Sequence, residues 1–71
     1  MAITGAELQT ALGTKETNAK VIQEFGVVST FQEWYVIGNV DAPGKAKLIR
    51  TTAADDAATQ AAAVLTALNA Y

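Results

Sequence analysis

The sequence predicts an α+β fold in one domain that spans residues 1–71. Two capping motifs near the N-terminus indicate two short helices, and two strand-forming runs around a Pro-Gly turn indicate a β-hairpin. An alanine-rich run at the C-terminus indicates one further helix, packed on the sheet. A chain of 71 residues is too short for a second core, so these elements share one domain.

The first predicted helix begins at a capping box. The Thr4 hydroxyl can accept from the Glu7 amide while the Glu7 carboxylate reaches back to the Thr4 amide. The helix is predicted over residues 5–12, and Gly13 is placed to end it in the left-handed conformation.

A second helix is predicted over residues 15–25. Thr14 is placed to cap its first turn, and Gly26 is the expected stop. The apolar side chains recur at helical spacing and form one modest stripe, which consists of Val21, Ile22 and Phe25.

Residues 27–32, which follow Gly26, are ambiguous. Their valines, threonine and phenylalanine favour a strand, whereas the shortness of the run is equally typical of a loop or a helical turn. The sheet is therefore predicted to have two strands, or three if this segment pairs with the hairpin.

The β-hairpin is the best-defined part of the predicted sheet. Residues 33–40 are rich in β-branched and aromatic side chains, and residues 45–51 return as the partner strand. Between them, residues 41–44 form a turn, because Pro43 presets φ near −65° and Gly44 can adopt a positive φ.

The four-residue turn sets a register that makes the hairpin apolar on both faces. The predicted pairs are Trp34–Thr51, Val36–Ile49 and Gly38–Lys47 on one face, and Tyr35–Arg50, Ile37–Leu48 and Asn39–Ala46 on the other. One face carries Trp34, Val36, Val40 and Ile49, and the other carries Tyr35, Ile37, Ala46 and Leu48. A solvated antiparallel sheet has one polar face, so either helices cover both faces or another chain covers one of them.

The last helix is predicted from an N-cap at Thr52 to about Ala70. Acidic residues in its first turn suit the positive end of the helix dipole. At 100° per residue, its apolar arc consists of Ala54, Ala57, Ala58, Ala61, Val64, Leu65 and Leu68. The remainder of the surface carries Asp55, Asp56, Thr59, Gln60, Ala63, Thr66 and Asn69.

The composition argues against an enzyme and against a bound cofactor or metal. The chain has no cysteine and no histidine, which removes thiolate metal sites and the usual catalytic bases. Ser29 has no lysine at the spacing of a serine–lysine pair, and the adjacent Asp55 and Asp56 point about 100° apart on a helix. Gly44-Lys45 lacks the first glycine and the hydroxyl of a phosphate loop. No catalytic, cofactor-binding or metal-ligating residue is therefore assigned.

The charge pattern disfavours nucleic acid as a partner but supplies one alternative. The net charge is −2 and the pI about 4.7, whereas non-specific binding to nucleic acid relies on clustered cations. Lys45, Lys47 and Arg50 form a basic cluster on the hairpin. Because two helices precede that hairpin in the prediction, the alternative function is a small winged-helix-like regulator that binds nucleic acid through these three residues.

No membrane segment and no signal peptide are expected. The N-terminal residues lack a basic region and a long apolar core, and the uncharged stretch over residues 57–71 is too short to cross a bilayer. The chain is expected to be soluble, in the cytoplasm or in a virion. The absence of cysteine fits both places and also fits a secreted protein.

The leading prediction is a small non-enzymatic structural or protein-interaction module that self-associates or docks on a larger assembly. Alanine is the most frequent apolar residue and buries little area, so a partner chain or unusually good packing must supply stability. Tryptophan, tyrosine and arginine are the commonest interface hot spots, and the candidate interface consists of Trp34, Tyr35, Ile37, Leu48 and Arg50. In composition the chain resembles small structural proteins of phages and bacteria, a likeness that assigns no role to any residue.

Overall fold

A computed structural model describes residues 2–38 and 46–69 and has an α+β architecture, as the sequence predicts. The elements are α1 (Gly5–Gly13), β1 (Lys20–Val28), β2 (Phe31–Ile37), β3 (Ala46–Thr52) and α2 (Ala57–Leu68). The strands form an antiparallel sheet in the order β1-β2-β3, and the two helices pack on each other and on one face of it. None of the described helices is long and apolar enough to cross a membrane.

The core lies between the two helices and the covered sheet face. The side chains from the sheet are Trp34, Val36 and Ile49, and the helices contribute Leu8, Leu12, Ala61, Val64 and Leu68, with Ala19 preceding the first strand. These buried side chains of the two helices pack in one cluster with the buried ring of Trp34.

The predicted second helix over residues 15–25 is wrong, because most of this segment forms the edge strand β1. Two register shifts explain why its pattern resembled a helix. Ile22 and Phe25 are extra residues in β1, each inserted between neighbouring pairs with β2. Bulges of this kind break the simple alternation of a strand, so apolar residues recur at irregular spacing.

Gly26 belongs to the second bulge and does not end a helix. Its φ of +91° lies in the region that favours glycine, and it pairs with Glu33 across the sheet. The outer edge of β1 is also engaged by α1. The side-chain amide of Gln9 donates to the Ala19 carbonyl at 3.2 Å and accepts from the Val21 amide at 2.7 Å.

The ambiguous segment over residues 27–32 contains the end of β1, a two-residue loop and the start of β2. A third strand therefore exists, but it begins at Lys20, before the ambiguous segment. Ser29 has a φ of +58° at the first loop position, and among the described non-glycine residues it is alone in having a positive φ. A positive φ at this position matches the backbone that a two-residue hairpin loop requires.

The predicted register of the β2–β3 hairpin is wrong by two residues, while its face assignment is right. Trp34 pairs with Ile49 and Tyr35 pairs with Leu48, whereas the predicted partners were Thr51 and Arg50. A shift of two residues preserves which side chains share a face. Val36 pairs with Lys47 where Ile49 was predicted, and Ile37 pairs with Ala46 where Leu48 was predicted. The remaining observed pairs are Glu33–Arg50, Gln32–Thr51 and Phe31–Thr52.

The shift is visible at the last described pair of the ladder. Ile37 pairs with Ala46, whereas the predicted four-residue turn requires Ile37 to pair with Leu48. Gly38 lies in a bend immediately after β2, consistent with the weak strand preference of glycine. The predicted turn over residues 41–44 lies outside the described residues, as do Asn39, Val40 and Lys45.

The capping box of α1 is present as predicted, with the Glu7 amide donating to Thr4 Oγ1 at 3.1 Å and the Thr4 amide donating to Glu7 Oε1 at 2.9 Å. The end of α1 differs from the prediction. Gly13 is the last helical residue and Thr14, with right-handed backbone angles, is the C-cap.

The C-terminal helix starts later than predicted. Thr52 remains in β3, paired with Phe31, and therefore cannot serve as the N-cap. Asp56 takes that role, because its carboxylate accepts from the Thr59 amide at 2.8 Å. Hydrogen bonds from the backbone and side chain of Thr59 lower the pKa of the Asp56 carboxyl below its usual value. The helix ends at Leu68, and the predicted last residue, Ala70, lies outside the described residues.

Candidate functional site

The sheet face turned away from the two helices is the candidate functional site, and it is called the open face below. By strand register, four ranks of side chains cross it from β1 through β2 to β3. The ranks are Lys20–Ile37–Ala46, Gln23–Tyr35–Leu48, Gly26–Glu33–Arg50 and Val28–Phe31–Thr52. Both described helices pack against the opposite face, so neither of them covers these residues.

Large apolar side chains are exposed on the open face. Leu48 is 60% exposed, Phe31 42% and Tyr35 37%, and Val28 is half exposed beside Phe31. On the helix-covered face of β2 and β3, by contrast, every position except Lys47 is buried. An antiparallel sheet in water normally turns polar residues outward, so these exposed apolar side chains make the open face the candidate site.

One ion pair lies within this apolar surface. Arg50 Nε donates to Glu33 Oε2 at 3.0 Å, and the Arg50 guanidinium carbon lies 5.8 Å from the centroid of the Phe31 ring. The Arg50 side chain is 61% exposed and that of Glu33 21%. An exposed pair of this kind adds little stability, since water and salt screen it. The pair instead places one positive and one negative side chain side by side among the apolar side chains of the open face.

The five predicted interface residues do not all lie exposed on one face of the sheet. Tyr35, Leu48 and Arg50 lie together on the open face. Ile37 has the same orientation in the register but is only 8% exposed. Trp34 lies on the helix-covered face, where it is 1% exposed and its indole Nε1 donates to Thr51 Oγ1 at 2.8 Å.

Sequence reasoning missed two members of the site. Phe31 falls in the ambiguous segment, and Glu33 is the first residue of the predicted strand. Both alternate with Tyr35 along β2 and so share its face. Extending the strand back to Phe31 by this alternation would have revealed them.

The predicted basic cluster does not come together on one surface. Lys47 lies on the helix-covered side, where its Nζ donates to the Ala67 carbonyl of α2 at 2.8 Å. Arg50 lies on the open face and pairs with Glu33. Lys45 is outside the described residues. The described part of the cluster is thus divided between two faces, and one member of it stabilises the packing of α2.

A buried polar network beneath the sheet was also missed. The sequence placed Gln60 on the polar side of the last helix, yet its side chain is fully buried. Gln60 Oε1 accepts from the Thr51 hydroxyl at 2.6 Å, and Gln60 Nε2 donates to Gln32 Oε1 at 3.0 Å and to the Asp55 carbonyl at 2.9 Å. These bonds satisfy the amide, which is why a glutamine is tolerated in the core.

The network continues to the N-terminal segment. The Gln32 side chain donates to the Ile3 carbonyl at 2.8 Å and accepts from the Ile3 amide at 3.2 Å. Among the described residues, no buried side-chain nitrogen or oxygen lacks a hydrogen-bond partner. A network with every member paired is structural in character, since it leaves no polar atom to bind a ligand.

The described residues contain no cluster of side chains that resembles a metal site. No group of three or more acidic side chains is close enough to hold a metal ion within residues 2–38 and 46–69. A shallow groove of about 520 Å³ runs between α1 and α2, lined chiefly by small residues such as Ala11 and Ala57. Its polar side chains are surface threonines and Glu7, which is engaged in the capping box.

No family model, curated protein or solved structure matches this chain.

Proposed function

We propose that the protein is a small non-enzymatic interaction module that binds protein through its open face, either by self-association or by docking on a larger assembly. The observation that carries this proposal is the exposed apolar rank of Tyr35 and Leu48, with Phe31 nearby, on a sheet whose opposite face packs against both helices. Burial of that surface by another chain would remove it from water, which is the main favourable term in protein association.

The composition of the open face supports a protein partner. Aromatic and arginine side chains are enriched at the centres of protein interfaces, and here Phe31, Tyr35 and Arg50 stand on adjacent strands. Arg50 is anchored by Glu33 and lies near the Phe31 ring, which limits the rotamer entropy it would lose on binding.

Nucleic-acid binding is the second candidate, and the described residues favour it less. Two exposed aromatic rings on β2 are the kind of platform on which single-stranded bases stack. However, Glu33 lies between Phe31 and Tyr35 on the same face, and its negative charge would repel the phosphates of a nucleic acid. A winged-helix arrangement also needs the second N-terminal helix, which is replaced by β1.

Site-specific photo-crosslinking tests the proposal. A photoreactive amino acid replaces Leu48 on the open face in one variant and Ala63, exposed on α2, in the matched control. Both variants are irradiated in extracts of the native cells, and adducts are separated by mass. We expect protein adducts from position 48 and few from position 63. Equal yields at the two positions, or adducts only to nucleic acid, contradict the proposal.

A further inference from the structure

We infer that the occupant of the open face is a second copy of this chain, packed face to face, with Arg50 of each copy bound to Glu33 of the other. This inference rests on the proposed function, because it assumes that the open face binds protein. It goes further by naming the partner, the relative orientation of the two sheets and the contact that sets it. Three observations carry it: the charge pattern, the space beside Gly26 and the area of the face.

The open face is self-complementary in charge. A symmetric dimer requires each residue i of one copy to meet residue j of the other, and the reverse. Arg50 and Glu33 are adjacent members of one rank, so one surface presents both a cation and an anion. Two such surfaces brought together can each supply the charge that the other needs, whereas a partner of a single charge sign would meet a repulsive residue.

Arg50 has the donors for a second carboxylate. A guanidinium carries five N–H groups, and within the described residues only the Nε–H of Arg50 is engaged, by Glu33. The remaining N–H groups belong to a side chain that is 61% exposed. Each N–H that a guanidinium donates to a carboxylate forms a charge-assisted hydrogen bond, so a second carboxylate adds energy and fixes the relative orientation of the two copies.

The position of Gly26 provides room for this contact. Gly26, Glu33 and Arg50 occupy one rank, from β1 through β2 to β3. A two-fold axis parallel to β2 and between the sheets would place β3 of one copy over β1 of the other. Arg50 would then lie above Gly26 of the second copy, beside Glu33 of that copy. A Cβ built at Gly26 meets nothing within 4 Å, so the space there is open.

The apolar ranks match under the same symmetry. Because β2 lies over β2, the Tyr35 rings of the two copies face each other, and so do the Phe31 rings. The two Glu33 carboxylates also face each other, and the Arg50 side chains of both copies flank them. Aromatic pairs that stack with an offset are favourable beyond their buried area. Leu48 of one copy covers the aliphatic part of Gln23 of the other, which is the neighbour of Tyr35 in its rank.

The area of the face predicts the strength of the dimer. Strands spaced about 4.8 Å apart with a rise of about 3.3 Å per residue give a three-stranded face of seven residues a footprint of roughly 14 × 23 Å. With side-chain relief, two such faces bury on the order of 1,000 Å², the low end for specific interfaces. We therefore expect a reversible dimer with a dissociation constant in the micromolar range.

Charge reversal in each of two variants, followed by mixing, tests the inference. The variants are Glu33→Arg and Arg50→Glu, and sedimentation equilibrium is measured from about 5 to about 500 µM, a range chosen to span micromolar dissociation constants. The wild-type protein should dimerise. Each variant alone should be monomeric over this range, because all four charged side chains of this rank then have the same sign and none of them neutralises another across the interface. An equimolar mixture should recover a dimer, since every contact again joins an arginine to a glutamate.

Two further variants separate this geometry from general effects on folding. Leu48→Lys removes apolar area without touching the ion pair and should weaken dimerisation about tenfold or more, while Ala63→Lys on α2 should leave it unchanged. Circular dichroism establishes that each variant is folded.

The possible outcomes separate this inference from the function on which it rests. A wild-type protein that stays monomeric overturns the inference, while position-48 crosslinks to a different protein would still support an interaction module. A wild-type dimer that tolerates both charge reversals, or a mixture that fails to associate, overturns the proposed contact. Binding of single-stranded nucleic acid that competes with dimerisation would assign the open face to that partner instead.

Discussion

Trp34 and Thr51 are joined inside the protein by a hydrogen bond of 2.8 Å, which the indole Nε1 donates to the threonine hydroxyl. The same hydroxyl donates onward to Gln60 Oε1 at 2.6 Å. One oxygen atom of the edge strand β3 thus connects Trp34, the largest core side chain, to the C-terminal helix. The helix-covered side of the sheet therefore depends on polar contacts as well as on apolar burial.

Replacing Thr51 by valine should destabilise the fold by about 2–3 kcal/mol, because the buried donor of Trp34 and the buried acceptor of Gln60 both lose a partner. Valine has nearly the same shape, so packing changes little. Thr51→Ser keeps the hydroxyl and should cost only about 1 kcal/mol for the lost methyl group. Urea unfolding followed by Trp34 fluorescence measures both. Equal losses in the two variants would mean that packing, and not the hydroxyl, matters here.

Replacing Gln60 by leucine should cost about 2–3 kcal/mol, although leucine is the more hydrophobic residue. The change removes the acceptor for Thr51 and the donor for Gln32 in a fully buried site, and unpaired buried groups carry the full desolvation cost. Thr66→Leu, at an exposed position on the same helix, is the matched control and should change stability by less than about 0.5 kcal/mol. A Gln60→Leu protein as stable as wild type would show that the network is dispensable.

Replacing Ser29 by glycine should stabilise the protein by about 0.5–1 kcal/mol. A positive φ costs an L-residue about 1–2 kcal/mol, and the greater freedom of glycine in the unfolded chain offsets part of the gain. Thr30→Gly at the neighbouring loop position, where φ is not positive, should instead lower stability. Thermal unfolding of the two variants beside the wild type gives the comparison, and destabilisation by both would rule out strain at Ser29.

Asp56 should make the stability of α2 dependent on pH at acidic values. Its folded-state pKa lies below the usual 3.8 because hydrogen bonds from Thr59 favour the carboxylate. The stabilising contribution is therefore fully present above about pH 4 and is lost as the pH falls through the folded-state pKa.

Asp56→Asn isolates this effect, since asparagine also caps helices but does not titrate. As the pH falls from 5 to 2, a range that spans the usual pKa of 3.8, the melting temperature of the wild type should fall further than that of Asp56→Asn. Other carboxylates are common to both proteins and cancel in the difference. A constant difference over the whole range would exclude a titrating cap.

Local chemistry accounts for the parts of the fold that sequence reasoning predicted. The Thr4–Glu7 box needs only residues three apart, and the alternation of a strand assigns Tyr35 and Leu48 to one face even when the register is displaced. The sequence therefore predicted correctly that Tyr35, Leu48 and Arg50 share a face. Its members Phe31 and Glu33 were missed, because the strand boundary was set too late.

The remaining errors come from interactions between distant parts of the chain. The bulges at Ile22 and Phe25 exist because β1 pairs with β2, and no local pattern distinguishes them from a helical stripe. Thr52 and Asp56 are both good N-caps, and the pairing of Thr52 with Phe31 decides between them. Burial of Gln60 depends on partners nine and 28 positions away. Tertiary contacts decide all of these features.

The irregular strand β1 limits how this protein can grow into larger structures. A fibril built by joining sheet edges needs two edges that accept a new strand, one on each side of every molecule. Here the edge formed by β1 has two bulges, and the Gln9 side chain is hydrogen-bonded to it near its start. Only the other edge, formed by β3, is regular among the described strands. Edge-to-edge joining would therefore stop at a pair of molecules. The bulges that made β1 hard to recognise in the sequence thus also prevent the protein from polymerising through its sheet edges.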